Sequence, residues 1–487
     1  ASAGRELDAG GMAVAPGFIN VLSWADQSLI EDGRGLSDTV QGVTLEIFGE
    51  GSTRGPLNPA MKAAAAAGQG SYQYEIAWTT LGEYLDHMEE RGVSPNVASF
   101  VGATTIRIHE LGRDDVQPDA EQLARMQELV REAMREGALG VGTSLIYPPA
   151  FFAGNQEITA LAQAAAEFGG GYVSHMRSEA DRFLEALEET IGIARATGQR
   201  AEVYHLKAAG EHNWPKMAQA IDMIRQARAE GVQVSANMYA YTAGATGLTV
   251  ALPPWVQAGG RAEMERRLRD PEIRARVINE MRAPGEWENL RLLTGSDERV
   301  LLTGFRNPAL RELAGQTLAE VSAARGTSPE DTIIDLILED GSRVGTAYFL
   351  MSEENVELGL RQPWVSLGSD SGAMAPEGVF LDSNPHPRAY GNFARFLGHY
   401  VRDRGLMPLE EAIHRLTGLP AANWKLRDRG CLDPGCHADI VVFDPEAIAD
   451  HATYARSQQL ATGVSDVFVN GVQVLDAGQH TGATPGR

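Results

Sequence analysis

An α/β fold is what the 487-residue sequence predicts: a TIM-like (β/α)8 barrel with a small β-sandwich domain built from the chain termini. Three observations carry that expectation. Short β-type runs alternate with helical stretches along most of the chain, the pattern of parallel α/β architecture. Eight such runs fit the strands of a barrel. Two successive runs end on a histidine, Tyr172-Val173-Ser174-His175 and Glu202-Val203-Tyr204-His205, and the carboxyl ends of barrel strands share one mouth, where side chains from different strands meet.

The expected barrel strands are 17–22, 43–48, 98–104, 139–145, 172–177, 202–207, 232–239 and 364–370. Helices fit between most of them. The stretch 121–136 places Leu123, Met126, Leu129, Val130 and Met134 on one face, with Gly137 as a stop; 155–168, 180–197 and 216–229 repeat the pattern. About 125 residues separate the seventh and eighth runs, far more than a simple connection needs. That stretch carries its own helical segments (261–282 and 328–339) and an extra apolar run, 347–351. It predicts an insertion, about 250–360, over the mouth. From 430 the pattern changes to alternating strands at 438–443 and 467–474, with Asp433-Pro434-Gly435 and Asn470-Gly471 as turns. Residues 1–14 are expected to add one strand to this small β domain, so that 15–429 form the barrel and 430–487 complete the second domain.

Bulk properties narrow the function. A formal charge of −23 and a pI near 4.9 argue against nucleic acid or an anionic membrane as partner. No run approaches the roughly 20 apolar residues of a membrane span. A small anionic substrate held by a local Arg or Lys fits, and a homo-oligomer stays open. Only Lys62, Lys207, Lys216 and Lys425 interrupt an otherwise arginine-based set of cations, which draws attention to Lys207, two residues after His205. Cys431 and Cys436 can close a disulfide loop only in an oxidising compartment with suitable geometry. The chain starts at Ala1, so the compartment is open between cytoplasm and, after signal-peptide removal, periplasm or exterior.

Polar groups at other strand ends complete a constellation. The second run leads into Gly49-Glu50-Gly51-Ser52, the sixth ends His205-Leu206-Lys207, and the eighth ends Gly368-Ser369-Asp370-Ser371-Gly372. His175, His205 and Glu50 would give Zn²⁺ a His₂-carboxylate set with a position left for water. Metal-activated water attacks carbonyls, and Asp370 is suited to take its proton and pass it to the leaving amine. From the residues alone Glu50 is either a ligand or a mouth-lining carboxylate, Asp370 a general base or a turn residue, and Lys207 a site residue or a solvated cation.

The blocks APGFIN, QGVT, SHMRSE, HLKAAG, YAYTAGAT, LGSDSG, HPRAYGNFAR and ADIVVFDP with VNGVQV stand in this order along the chain. Together they resemble the amidohydrolase superfamily, specifically its D-aminoacylase (N-acyl-D-amino-acid deacylase) branch, over essentially the whole chain. The resemblance implies one zinc ion per chain held by His175 and His205, with Asp370 as catalytic aspartate. It implies that Lys207, Tyr239 and Arg388 contact the scissile carbonyl or the substrate carboxylate; an Arg can clasp a carboxylate bidentately and a phenol can donate to a developing oxyanion, whereas from the residues alone Arg388 is equally a structural ion-pair partner and Tyr239 a core tyrosine with its hydroxyl satisfied. Three positions depart from the branch. Leu22 and Trp24 stand where the superfamily has a strand-one His-x-His, so a second metal is not expected to bind in the usual way. Gly51 falls where the branch has a cysteine ligand, and Glu50 beside it is taken as the substitute. Ala245 replaces a substrate-contacting serine, with Thr246 adjacent. The expected activity is zinc-dependent hydrolysis of N-acyl (D-)amino acids or related carboxylate-bearing amides. The alternatives are a hydrolase of another carbonyl substrate (a dipeptide, lactone or xenobiotic amide) and a catalytically inactive ligand-binding barrel.

Overall fold

The computed structural model describes residues 6–487. Residues 1–5 of the terminal segment expected to join the small β domain lie outside that range; the strand that does join it is β1 (Ala13–Pro16). Two parallel sheets form the core. One has the order β2 (Phe18–Asn20), β3 (Val43–Phe48), β4 (Asn96–Ser99). The other holds β5 (Val101–Gly102), β6 (Gly140–Ser144), β7 (Gly171–His175), β8 (Ala201–Val203), β9 (Val234–Met238) and, last, β13 (Val365–Leu367). Most of these strands are buried along their whole length, as parallel strands covered by crossover helices must be. The free edges of the two sheets meet: Val21 N donates to Leu367 O, Asp370 N to Leu22 O, and Ser23 bridges Ser371.

Several expected strands differ from those observed: the eighth, 364–370, contracts to Val365–Leu367, the terminal run 467–474 is split by the Asn470-Gly471 turn into two strands, and two further departures shape the site. The run 98–104 is broken at Phe100: β4 pairs with β3, β5 pairs with β6, and a helix begins at Ala103. The chain turns there because Gly102 N and Thr104 N are captured by Thr53 Oγ1 and Gly51 O of the neighbouring loop. The run 202–207 contracts to Ala201–Val203, since His205 takes a left-handed φ of 36°. Its N–H is held at 2.8 Å by Asn237 Oδ1, and Asn237 donates in turn to the buried Glu202. This is uncommon backbone for a residue with a side chain, held by a fully buried polar network.

The expected helix 261–282 is two helices, Arg261–Arg269 and Pro271–Met281, because Pro271 cannot continue the first and Asp270 caps the second. They belong to the segment between β9 and β13. There β10 (Ala243–Gly247), β12 (Gly345–Phe349) and β11 (Val300–Gly304) form an antiparallel sheet in that spatial order. It packs with the surrounding helices around its own apolar cluster, including Leu302, Ile333, Ile337 and Tyr348. The terminal unit is one antiparallel sheet rather than the expected sandwich of two, with the order β1, β14 (Ile440–Phe443), β15 (Val464–Val469), β16 (Val472–Asp476) and β17 (Gln479–His480). Cys431 and Cys436 are joined as a disulfide. Among the described residues no helix is long and apolar enough to cross a membrane.

Candidate metal centre

Glu50, His175 and His205 converge at the carboxyl ends of β3, β7 and β8. They offer ligand atoms within 4.8 Å of one another, and all three residues are buried. Glu50 Oε1 lies 2.8 Å from His175 Nδ1 and 3.2 Å from His205 Nε2, and the two imidazole centroids are 4.5 Å apart, edge to face. The local sequence explains how Glu50 reaches inward. Gly49 and Gly51 both have positive φ, and a Cβ on Gly51 would stand 2.6 Å from Ser144 Cβ. Only glycine lets the loop turn that tightly against β6. The same contact leaves no room at 51 for the cysteine that the resemblance puts there.

The donor set fits a divalent cation such as zinc on two counts. It offers two imidazole nitrogens and a carboxylate oxygen on separate strand ends. His175 Nε2 is also buried without any hydrogen-bond partner, an orphan of the kind that native interiors rarely keep without use. Against the burial that would raise it, hydrogen bonds from the two histidines hold the Glu50 carboxyl well below the usual carboxylate range.

A second acid, which the sequence did not single out, stands behind His205. Glu179 Oε1 is 2.8 Å from His205 Nδ1 and 2.6 Å from Lys207 Nζ. Burial would raise its carboxyl, but the charges of Lys207, His205 and His175 hold it far below the ordinary value. An ionised acceptor at Nδ1 keeps a proton on that nitrogen, so that Nε2, on giving up its own proton, presents its lone pair to a metal ion, the arrangement usual for metal-ligating histidines. Burial and Lys207 pull the His205 pKa down, but Glu179 and Asp370 outweigh them and raise it to about 9. Glu179 sits four residues after His175 inside the SHMRSE block; its position in an irregular loop gives it no periodic signal.

Asp370, with a side chain 12% exposed, stands across the mouth in left-handed backbone at φ 48°. Its Oδ2 lies 2.9 Å from Arg388 Nη1, and its Oδ1 accepts from Trp24 Nε1 at 3.2 Å. Burial raises the Asp370 carboxyl against the lowering pull of Arg388. Arg388 is buried over the Tyr239 ring at 4.5 Å, and its Nε and Nη1 have no hydrogen-bond partner despite the ion pair. Its Nη2 reaches Ala245 O of β10. Tyr239 is buried, which raises its phenol pKa, and Lys207 Nζ lies 5.7 Å from its ring centroid. Thr246 accepts from Tyr147 OH at 3.0 Å, and Tyr147 stacks edge-on to His175. Thus Glu50, His175, His205, Lys207, Tyr239, Asp370 and Arg388 share one mouth, and Thr246 joins it through Tyr147. The sequence missed Glu179, and it read Trp24 only as a residue unable to bind metal.

The chain matches the amidohydrolase family over residues 5–475. It is 34% identical to a D-aminoacylase of Alcaligenes xylosoxydans xylosoxydans over 100% of this chain and 89% of that protein. Its fold is similar to a solved D-aminoacylase whose binuclear metal centre shows one-metal activation and second-metal attenuation (TM-score 0.82, 32% identity, 100% of this chain and 91% of that one). It is also similar to an N-acyl-D-glutamate deacylase of Bordetella bronchiseptica solved with zinc and a phosphonate mimic of the tetrahedral intermediate (TM-score 0.80, 30% identity, 99% and 89%).

Proposed function

The chain belongs to the amidohydrolase family and is a metal-dependent amide hydrolase, and from that premise we propose that it deacylates N-acyl-D-amino acids with one zinc ion held by Glu50, His175 and His205. The single observation that carries this reading is the convergence of Glu50 Oε1 on both imidazoles, with Asp370 facing them from the eighth strand end. We read the two parallel sheets as one eight-strand barrel, with β4 and β5 as its third strand and the Val21–Leu367 contact as its seam. The expected limits shift slightly in this reading: β1 (Ala13–Pro16) and residues 430–487 form the small β domain, the barrel runs from β2 to 429, and the insertion begins with β10 at Ala243 and ends near 360.

Bound there, zinc supplies Lewis acidity, polarising a carbonyl and acidifying water near neutral pH. The chain's own groups do the rest. Asp370 combines a raised pKa with a place at the mouth, so its carboxylate takes the water proton and its carboxyl returns it to the leaving amine nitrogen. Arg388, whose buried Nε has no partner and whose Nη1 faces Asp370 Oδ2, clasps the substrate carboxylate. Tyr239 keeps its proton through burial and donates it in a hydrogen bond to the carbonyl oxygen as charge develops there. Lys207 holds Glu179 and adds positive charge beside the anionic substrate. Thr246 and Tyr147 form the wall against the acyl or side-chain group.

The test is metal content measured together with hydrolysis of a chiral N-acyl-amino-acid panel. About one zinc per chain, lost in His175→Ala or His205→Ala, is expected, with turnover of D but not L enantiomers. Asp370→Asn should keep the zinc and lose roughly 10²- to 10⁴-fold in kcat. A protein that turns over neither enantiomer while loaded with zinc would end the deacylase reading.

A further inference from the structure

We propose that the Trp24 indole is a positioning residue that ties the Glu50 and Asp370 carboxylates together and thereby limits the site to a single cation. Its Nε1–H is donated to Glu50 Oε2 at 2.8 Å and to Asp370 Oδ1 at 3.2 Å. One neutral, non-titrating donor therefore spans two carboxyl groups from the second and eighth strand ends, while Arg388 Nη1 holds the other oxygen of Asp370. The division of oxygens is consistent. Glu50 turns Oε1 to the two histidines and Oε2 to Trp24, so it has one oxygen for one metal ion.

The indole is fixed independently of any ligand. Trp24 N donates to Ser371 O, Ser23 N donates to Ile47 O, and Leu22 O accepts from Asp370 N. Backbone hydrogen bonds on both sides thus hold the main chain of residues 22–24 beside the eighth strand end, from which the indole reaches both carboxyl groups. A bridging metal ion dissociates when its free concentration falls. A covalently attached N–H does not, so Asp370 keeps one position at any metal concentration. Trp24 is not a catalytic residue in this account; it acts through the carboxylates it holds.

The proposal rests on the one-zinc reading above, and the experiment separates the two. The apoprotein, Trp24→Phe and the double variant Leu22→His/Trp24→His are titrated with zinc, and bound metal is counted after equilibration in large excess; kcat and KM are measured alongside. Wild type should stop at one equivalent. Trp24→Phe keeps an aromatic ring but loses the donor; it should lose about tenfold to a hundredfold in kcat with KM nearly unchanged. The double variant, with imidazoles in place of the leucine and the indole, should take up a second equivalent. Wild type binding two equivalents would overturn the one-zinc reading. Wild type at one equivalent, with the folded double variant also at one or with Trp24→Phe at full kcat, would overturn the role of Trp24. Thermal melting verifies folding of each variant, and the double variant carries the test if Trp24→Phe does not fold.

Discussion

His205 is where proton and metal compete most directly. Its Nε2 faces Glu50 Oε1, and its pKa is raised to about 9 because the charges of Glu179 and Asp370 outweigh burial and Lys207. The apoprotein therefore carries a proton on this ring throughout the neutral range, and a metal ion can bind Nε2 only after that proton leaves. The sign follows: zinc affinity should rise with pH, about tenfold per pH unit between pH 6 and 8 for the one proton released. Competition against a chelator of known affinity at each pH measures it, and an affinity independent of pH in that range would sink the assignment. Residue-level legibility was uneven for a physical reason. His175, His205 and Asp370 each close a short apolar run or the turn that follows it, so their places at the mouth follow from local pattern. Glu179 and Trp24 act through space, one behind an imidazole and one between two carboxylates, and no spacing along the chain encodes either contact.

At the scale of elements, the segment between β9 and β13 does more than cover the barrel. Glu288 reaches from it to the loop after β7, where its Oε1 accepts from Ser178 Oγ at 2.7 Å, from Ala180 N at 2.7 Å and from Glu179 N. One buried carboxyl of the insertion thus pins the loop that carries Glu179, and through Glu179 it bears on His205. Burial and the negative charge of Glu179 push the Glu288 pKa up from 4.5 to about 7, against those donors. A raised carboxyl pKa means that the folded chain binds the proton more tightly than the unfolded chain. Its stabilising share is full below about pH 4.5 and is lost as pH rises through 7. Wild-type stability should therefore decline relative to Glu288→Gln between pH 5 and 8. The expected decline is about 2 kcal/mol, since each tenfold difference in proton affinity between folded and unfolded chain is worth roughly 1.4 kcal/mol. Denaturant melts of both proteins at each pH check this, and a constant difference would remove Glu288 as the source. The insertion was legible from its length alone. The broken third strand and the shortened sixth were not, because loop contacts to Thr53, Gly51 and Asn237 override their β-type sequences.

Across the whole molecule, chemistry and stability occupy opposite ends. The metal-set residues sit at the carboxyl ends of the strands, whereas the last residues of the chain dock beside the amino end of β4, the end of a barrel that serves the fold rather than catalysis. Val97 N donates to Arg487 O at 2.9 Å and Gly486 N to Val93 O at 2.8 Å. Ser94 Oγ donates to Ala483 O, and Asn470 of the terminal sheet reaches Pro485 O, each at 2.8 Å. The tail therefore stitches the small β unit to β4. Its sequence, Thr481-Gly482-Ala483-Thr484-Pro485-Gly486-Arg487, has no periodicity and reads as coil. Most of the parallel strands were visible as short apolar runs between helices, but this seam depends on backbone groups that any residue supplies. At about 1 kcal/mol net per hydrogen bond, removing residues 483–487 should cost roughly 3–5 kcal/mol. Zinc content and KM should stay at their wild-type values, since none of these bonds touches the mouth. Chemical denaturation paired with metal analysis tests both halves. Loss of zinc from a folded truncated chain would show that the two ends are coupled rather than separate.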